Sequence, residues 1–257
     1  MAFDGLLLKA ASGEIAAAVL GARLERVYQP EPLVVTLHFY RRGEEGSLLV
    51  SCHPRFYRAH LTERTFVNPR TPSAFCMLLR KHLEGAVVAS VAQPGLERVL
   101  HLVLERAGAR LTLVVELMGK HSNLVLLDGP PPASGGEQAP AVLDALKRIP
   151  ASLSRHRQVL PGLPYLPPPG REKFPLAAFA HDPDGAGARF AARWAEAPGP
   201  AWRRLVEAVD GPGPVLAREL CLRAGLDPEA EGTAAPPPAL CAALAELAAD
   251  VAAGRFR

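Results

Sequence analysis

The ten residues Pro161-Gly-Leu-Pro-Tyr-Leu-Pro-Pro-Pro-Gly170 contain five prolines, and neither a helix interior nor a central strand tolerates such a run. The segment reads as a semi-rigid, polyproline-like hinge that divides the chain near residue 170. Before it, apolar residues alternate in short runs. After it, they recur at helical spacing in an Ala-rich background. This pattern predicts an α+β domain over 1–170 and an all-α domain over 171–257. At 257 residues the chain is long enough for a real core.

In the first part, Leu7, Ala11, Ile15 and Val19 share one helical face. Asp4 is the expected N-cap and Gly21 the C-cap, which bounds a helix at 5–20. Strand alternation begins at Leu33–Tyr40 and continues in Ser47–Ser51 and Tyr57–Thr62. A helix is expected over Thr71–Glu84, followed by strands at Val87–Gln93, Arg98–Arg106, Arg110–Glu116 and Asn123–Leu127. Arg106-Ala-Gly-Ala-Arg110 reads as a compact hairpin turn. Residues 129–140 (GPPPASGGEQAP) are expected to form a mobile loop, and Ala141–Arg148 one more strand. The last predicted helix is Pro238–Ala253.

The four cysteines are far apart and include no Cys-x-x-Cys pair, which argues against a zinc ribbon, a redox dithiol or a disulfide scaffold. The charge is unevenly placed. Residues 181–257 hold 8 Arg against 11 Asp and Glu, which leaves 21 basic against 15 acidic residues in 1–180. Between Cys52 and His82, Arg55, Arg58, Arg64, Arg70, Arg80 and Lys81 face the single acid Glu63, and Lys147–Arg171 holds five bases and no acid. Such stretches attract polyanions, and a phosphate backbone is the commonest one in a cytoplasm. A solvated surface has the same composition, so charge alone leaves both readings open.

Four local patterns carry possible chemistry. Leu205–Leu220 places Gly211-Pro-Gly213 between two apolar helices, which resembles a helix-hairpin-helix motif with free N–H groups for phosphate. An ordinary helical hairpin fits it as well, and the surrounding acids Glu207, Asp210 and Glu219 favour that reading. Glu97-Arg98 pairs a carboxylate with a guanidinium at a strand start, either as an exposed turn pair or as a base-and-phosphate contact. Val115–Asn123 links two strands through Lys120, His121, Ser122 and Asn123, rich for a turn. Phe75–His82 ends an apolar helix face in Arg80, Lys81 and His82, which also complement the helix dipole.

The ordered set Met1–Gly5, Tyr28-Gln29-Pro30, Phe75–His82, Glu97-Arg98, Glu116–Asn123 and Leu160–Pro168 resembles the NFACT family, which includes bacterial RqcH, fibronectin-binding protein A-like proteins and eukaryotic NEMF. The resemblance implies an N-terminal, helix-flanked antiparallel β-sandwich similar to that of formamidopyrimidine-DNA glycosylases, followed by the helix-hairpin-helix domain. It implies a cytoplasmic, tRNA-binding module of a ribosome-associated quality-control factor. Its partners would be alanyl-tRNA and the large ribosomal subunit with stalled peptidyl-tRNA, and its context C-terminal alanine tailing. The tRNA-binding residues it implies are Glu97 and Arg98, with Glu in place of the family's Asp, and Glu116, Leu117 and Met118. Arg80, Lys81 and Lys120 are expected beside them, with Arg55, Arg58, Gly211 and Gly213 on phosphates. No catalytic residue, metal, cofactor or membrane partner is expected. Family members continue into a coiled coil and an RNA-binding domain, so the chain is expected to be an N-terminal portion. A glycosylase-like enzyme and a fibronectin-binding adhesin are the alternatives. Against the enzyme, the chain begins Met1-Ala-Phe-Asp4 where a Pro-Glu nucleophile pair would stand.

Overall fold

The computed structural model describes residues 3–131, 139–170, 172–232 and 235–256. Most of the expected 129–140 loop, residues 132–138, lies outside them. The chain divides into two compact units, Ala11–Pro169 and Gly170–Arg257 together with Met1–Ala10. The first ten residues thus belong with the helices, not with the strands that follow them in sequence.

The sheet unit contains β1 (Arg23–Glu31), β2 (Val34–Arg41), β3 (Glu44–Ser51), β4 (Arg58–Leu61), β5 (Val87–Ala92), β6 (Val99–Arg106), β7 (Ala109–Glu116), β8 (Asn123–Asp128) and β9 (Ala141–Ala145). They form one antiparallel sheet in the order β4-β3-β2-β1-β5-β6-β7-β8-β9. The expected sandwich is therefore hydrogen-bonded as a single sheet, narrow where Arg23 faces Val87. The sheet is rolled, because the Lys147 ammonium just past β9 donates to the Cys52 carbonyl just past β3, at 3.2 Å. Between β6 and β7, Ala107 and Gly108 have φ of 51° and 81°, the positive pair a two-residue hairpin needs.

Strands β6, β7 and β8 are buried on both faces over most of their length. On one face Val99, Val114, Val125 and Val142 pack with Val159 and Tyr165. That packing corrects the expected hinge. Of its ten residues, Gly162, Leu163 and Tyr165 use backbone groups to pair with Val142 and Pro140, so Pro161–Tyr165 lies along β9. Helix α2 (Ala74–Leu83) starts at Ser73, whose hydroxyl accepts from the Cys76 N–H at 3.0 Å, and buries Phe75, Cys76, Leu79 and Leu83.

The helical unit holds the start of α1 (Gly5–Val19), α3 (Ala178–His181), α4 (Pro183–Glu196), α5 (Ala201–Ala208), α6 (Pro214–Arg223) and α7 (Pro238–Ala252). Its core stacks Phe174, Phe179, Phe190 and Trp194 edge to face. Among the described residues no helix is long and apolar enough to cross a membrane.

Candidate nucleic-acid interface

The register of β6 on β7 pairs Val99 with Glu116. One step beyond, the Leu117 N–H donates to the Arg98 carbonyl at 2.9 Å. The Glu97-Arg98 turn therefore lies beside the link between β7 and β8. The turn is tight, with the Glu97 N–H donating to the Pro94 carbonyl at 3.0 Å and the Gln93 amide to the Glu97 carbonyl at 2.8 Å. Glu97 is exposed and Arg98 half-buried, and neither pairs with a charge on another described residue.

The link itself is less polar outwardly than its sequence. Ser122 and Asn123 are fully buried. The Ser122 hydroxyl accepts from the Met118 N–H at 2.8 Å, and the Asn123 amide exchanges two hydrogen bonds with the backbone of Lys147. Only Lys120 and His121 of the four polar residues reach the surface. They sit in a 3-10 turn, Gly119–His121, which needs the left-handed Gly119 at φ 61°.

Glu116 and Leu117 are fully buried, so their side chains do not reach a ligand at the surface. Glu116 instead joins an internal network. Both of its oxygens accept from the Arg157 guanidinium, and Oε1 also accepts from the Tyr165 hydroxyl at 2.8 Å. Burial and the Glu116 carboxylate together push the Tyr165 phenol up. Arg157, one of the five bases in the acid-free stretch, thus points inward, while Arg155 and His156 are exposed.

The loop after β3 completes the surface. A Cβ added at Gly119 would meet the Pro54 carbonyl oxygen at 3.6 Å and the Tyr57 ring at 3.8 Å, so Cys52–Arg58 lies against the 3-10 turn. Arg55 is exposed, and Arg58 donates to His60 and to the Phe56 carbonyl. Lys147 anchors this loop from below, and burial lowers its ammonium from the ordinary lysine value. Burial likewise pushes the Cys52 thiol up to about 12. That thiol is inert.

Arg80 and Lys81 lie on α2, which packs against β1 and touches β9. Arg80 donates to the Val27 carbonyl at 2.8 Å and stands over the Tyr28 ring, while Lys81 is exposed. In the helical unit α5 and α6 form a hairpin, but the expected phosphate site is already taken. The Gly213 N–H donates to Asp4 Oδ2 at 2.9 Å, and Asp4 Oδ1 accepts from the Leu7 N–H at 2.9 Å. One carboxylate caps two helices where a phosphate would sit. Gly211, at φ 94°, supplies the turn and is half-buried.

Sequence reasoning passed over Phe56, Lys147, Arg157 and Tyr165. All four lie inside the basic stretches Cys52–His82 and Lys147–Arg171, where net charge does not tell one residue from another. The inward turn of Arg157 has one sequence signal, a Tyr held in a Pro-rich run eight residues on.

A rolled antiparallel sheet, a helical unit and this loop cluster define a known class of protein. The chain belongs to the NFACT family, whose model for the N-terminal and middle domains matches residues 4–257. It is 33% identical over 232 residues to the Rqc2 homolog RqcH of Bacillus subtilis strain 168, covering 88% of this chain and 38% of that protein. It is 29% identical over 126 residues to the human ribosome quality control complex subunit NEMF, covering 49% of this chain and 11% of that one. The chain thus spans well under half the length of these relatives. In structure it matches the N-terminal part of the fibronectin/fibrinogen-binding protein of Streptococcus suis, with TM-score 0.74 and 26% identity over 95% of this chain and 85% of that one. The fibrinogen-binding protein of Staphylococcus aureus matches with TM-score 0.74 and 25% identity, over 98% and 83%.

Proposed function

We propose that this chain is a tRNA-binding part of a ribosome quality-control factor, with no catalytic residue of its own. Relatives named for ribosome quality control support the general role. The single observation carrying the molecular reading is the convergence of three loops. The Glu97-Arg98 turn, the Met118–His121 link and the Cys52–Arg58 loop meet at one end of the sheet. Within them Arg55, Arg98 and Lys120 form no ion pair with a described residue, and the exposed acid is Glu97 alone. Unpaired cations on fixed loops suit a phosphate backbone, and a lone carboxylate accepts from a base edge or a ribose hydroxyl. On this reading Glu116 and Leu117 act through the loop they hold, and Met118, Lys120, Glu97 and Arg98 form the contact surface. Arg80 and Lys81 extend the basic field from α2. Recruitment of alanyl-tRNA to obstructed large subunits, and alanine tailing, belong to the larger assembly in which this part works.

The test compares binding of the protein to purified tRNA and to duplex DNA of equal charge. The expected result is a preference for tRNA that Glu97→Ala/Arg98→Ala abolishes while the protein remains folded. Equal binding to both, untouched by the change, would reduce the surface to nonspecific basic charge. Saturable binding of fibronectin without tRNA binding would overturn the reading outright.

A further inference from the structure

Phe56 is an aromatic ring held out into solvent, 57% exposed, in the middle of the basic loop cluster. Exposed large apolar side chains occur singly on many surfaces, so exposure alone decides nothing. The construction around this one is unusual. The His53 ring stacks on it with centroids 5.1 Å apart and planes 25° from parallel. His53 Nδ1 accepts from the N–H groups of both Arg55 and Phe56, at 3.2 and 3.3 Å, which fixes the loop and assigns the ring proton to Nε2. From the other side of the chain the Arg58 guanidinium donates to the Phe56 carbonyl at 3.0 Å. The Arg55 guanidinium is 5.8 Å from the Phe56 centroid, near the outer limit of a cation–π contact. The loop rests on the Gly119 turn that displays Lys120.

We infer that His53 and Phe56 form a stacking platform for one unpaired RNA base. The inference rests on the tRNA-binding reading and deepens it. A flat, prebuilt two-ring stack offers a face to a base without asking which base it is. The incoming base extends the stack in the place Arg55 now holds, and the freed guanidinium meets the phosphate beside that base. Unpaired, splayed bases are what proteins read on RNA, because the deep groove of the A-form helix is closed to side chains. The charges around the platform favour this occupant over an acidic or apolar peptide segment with equal contact area. Arg55, Arg58 and Lys120 match a phosphate repeat, and no carboxylate occurs between Cys52 and Arg58.

The test uses the 257-residue protein with tRNA, a single-stranded RNA oligonucleotide and an abasic phosphodiester of equal length. Phe56→Ala should weaken binding of tRNA and of the RNA oligonucleotide roughly five- to hundredfold, the loss typical of one stacked base. Phe56→Trp should restore it. The abasic strand should bind weakly and ignore both changes. The slope of affinity against salt separates stacking from charge. Phe56→Ala should leave it unchanged, while Arg55→Ala should lower it by about one phosphate contact. If wild-type protein binds tRNA and Phe56→Ala binds it equally, the platform is wrong and the tRNA reading stands. If Phe56→Ala flattens the salt slope, the ring acts through the cations and the platform is again wrong. If wild-type protein binds neither RNA, both readings fall.

Discussion

The two units match their arginines to different degrees: among the described residues at least five of seven in the helical unit reach a carboxylate, against five of fifteen in the sheet unit. In the helical unit Arg189, Arg193, Arg218, Arg223 and Arg255 each reach a carboxylate. Arg204 is buried, with its guanidinium on the Trp194 carbonyl and ring. Even the one helix N-terminus that resembled a phosphate site is closed by Asp4. In the sheet unit the only well-buried ion pair is Arg157 with Glu116 among the described residues, while Arg55, Lys81, Arg98 and Lys120 pair with no described carboxylate. Net charge therefore says less than pairing. A partner of opposite sign gains most where cations have not already been matched from within the chain.

The contrast between a buried pair and exposed ones gives the largest expected effect. Arg157 and Glu116 side chains are 9% and 0% exposed, against 66% and 48% for Arg223 and Glu219. Arg157→Ala leaves a carboxylate buried without its counter-charge and should cost about 3–5 kcal/mol. Arg223→Ala should cost no more than about 0.5 kcal/mol. Urea unfolding at fixed ionic strength reads both. Replacing the whole buried network, as Glu116→Leu/Arg157→Met/Tyr165→Phe, should recover most of the single-mutant loss. Equal losses for Arg157→Ala and Arg223→Ala would break the distinction between the two kinds of pair.

A smaller effect is expected at Asp4. Asp4→Ala orphans the N–H groups of Leu7 and Gly213 together and should cost about 1–2 kcal/mol, the range for losing a helix cap. Hydrogen exchange should show lost protection at those two amides, with the strands β6 to β8 unchanged. Restoration of their protection by added phosphate would mean that the hairpin does take an anion once the carboxylate is removed. Indifference to phosphate would leave Asp4 as a purely structural cap.

Much of this arrangement was legible in the sequence, and the failures share a cause. Helix α1 with Asp4 as cap, the hairpin at Ala107-Gly108 and the strands from β5 to β8 follow from periodicity and turn chemistry, which act over a few residues. Strand β1 escaped because Pro30 and the adjacent charges Glu25 and Arg26 spoil its alternation, and its pairing with β2 shifts register twice. The site showed the same division. Gly119 and the polar run after it single out the link between β7 and β8, yet the sequence could not tell Lys120, which faces water, from Asn123, which clamps Lys147. That choice is made by the roll of the sheet, which brings the ends of β3 and β9 together. Likewise Glu116 looks like a surface acid until Arg157, 41 residues on, is placed against it. Proximity in sequence carries capping and turns, whereas long-range pairing decides which polar groups remain for a ligand.

The smallest expected effect is one of pH, and it separates the units by sign. Burial lowers the imidazoles of His101 and, more weakly opposed by Glu45, His38 from the ordinary value of 6.5. Below 6.5 the unfolded chain takes protons that the folded sheet refuses, so their contribution is complete above 6.5 and is lost as pH falls toward the folded values. In the helical unit burial raises the Asp210 carboxyl above 3.8, against the opposing Leu176 N–H and the Lys173 charge. There the folded state holds the proton more tightly, so its contribution is complete below 3.8 and is lost as pH rises through the folded value. Moving from pH 7.5 to 5.5 should therefore weaken exchange protection in β6 and β7, while acidification down to 3.8 should strengthen it at the Phe174 and Leu176 amides beside Asp210. His101→Gln should remove most of the acid loss in the strands, and Asp210→Asn should remove the opposite trend in the helices. Parallel loss of protection in both units, unmoved by either substitution, would mean that acid acts on the whole chain through its surface charge instead of through these two buried groups.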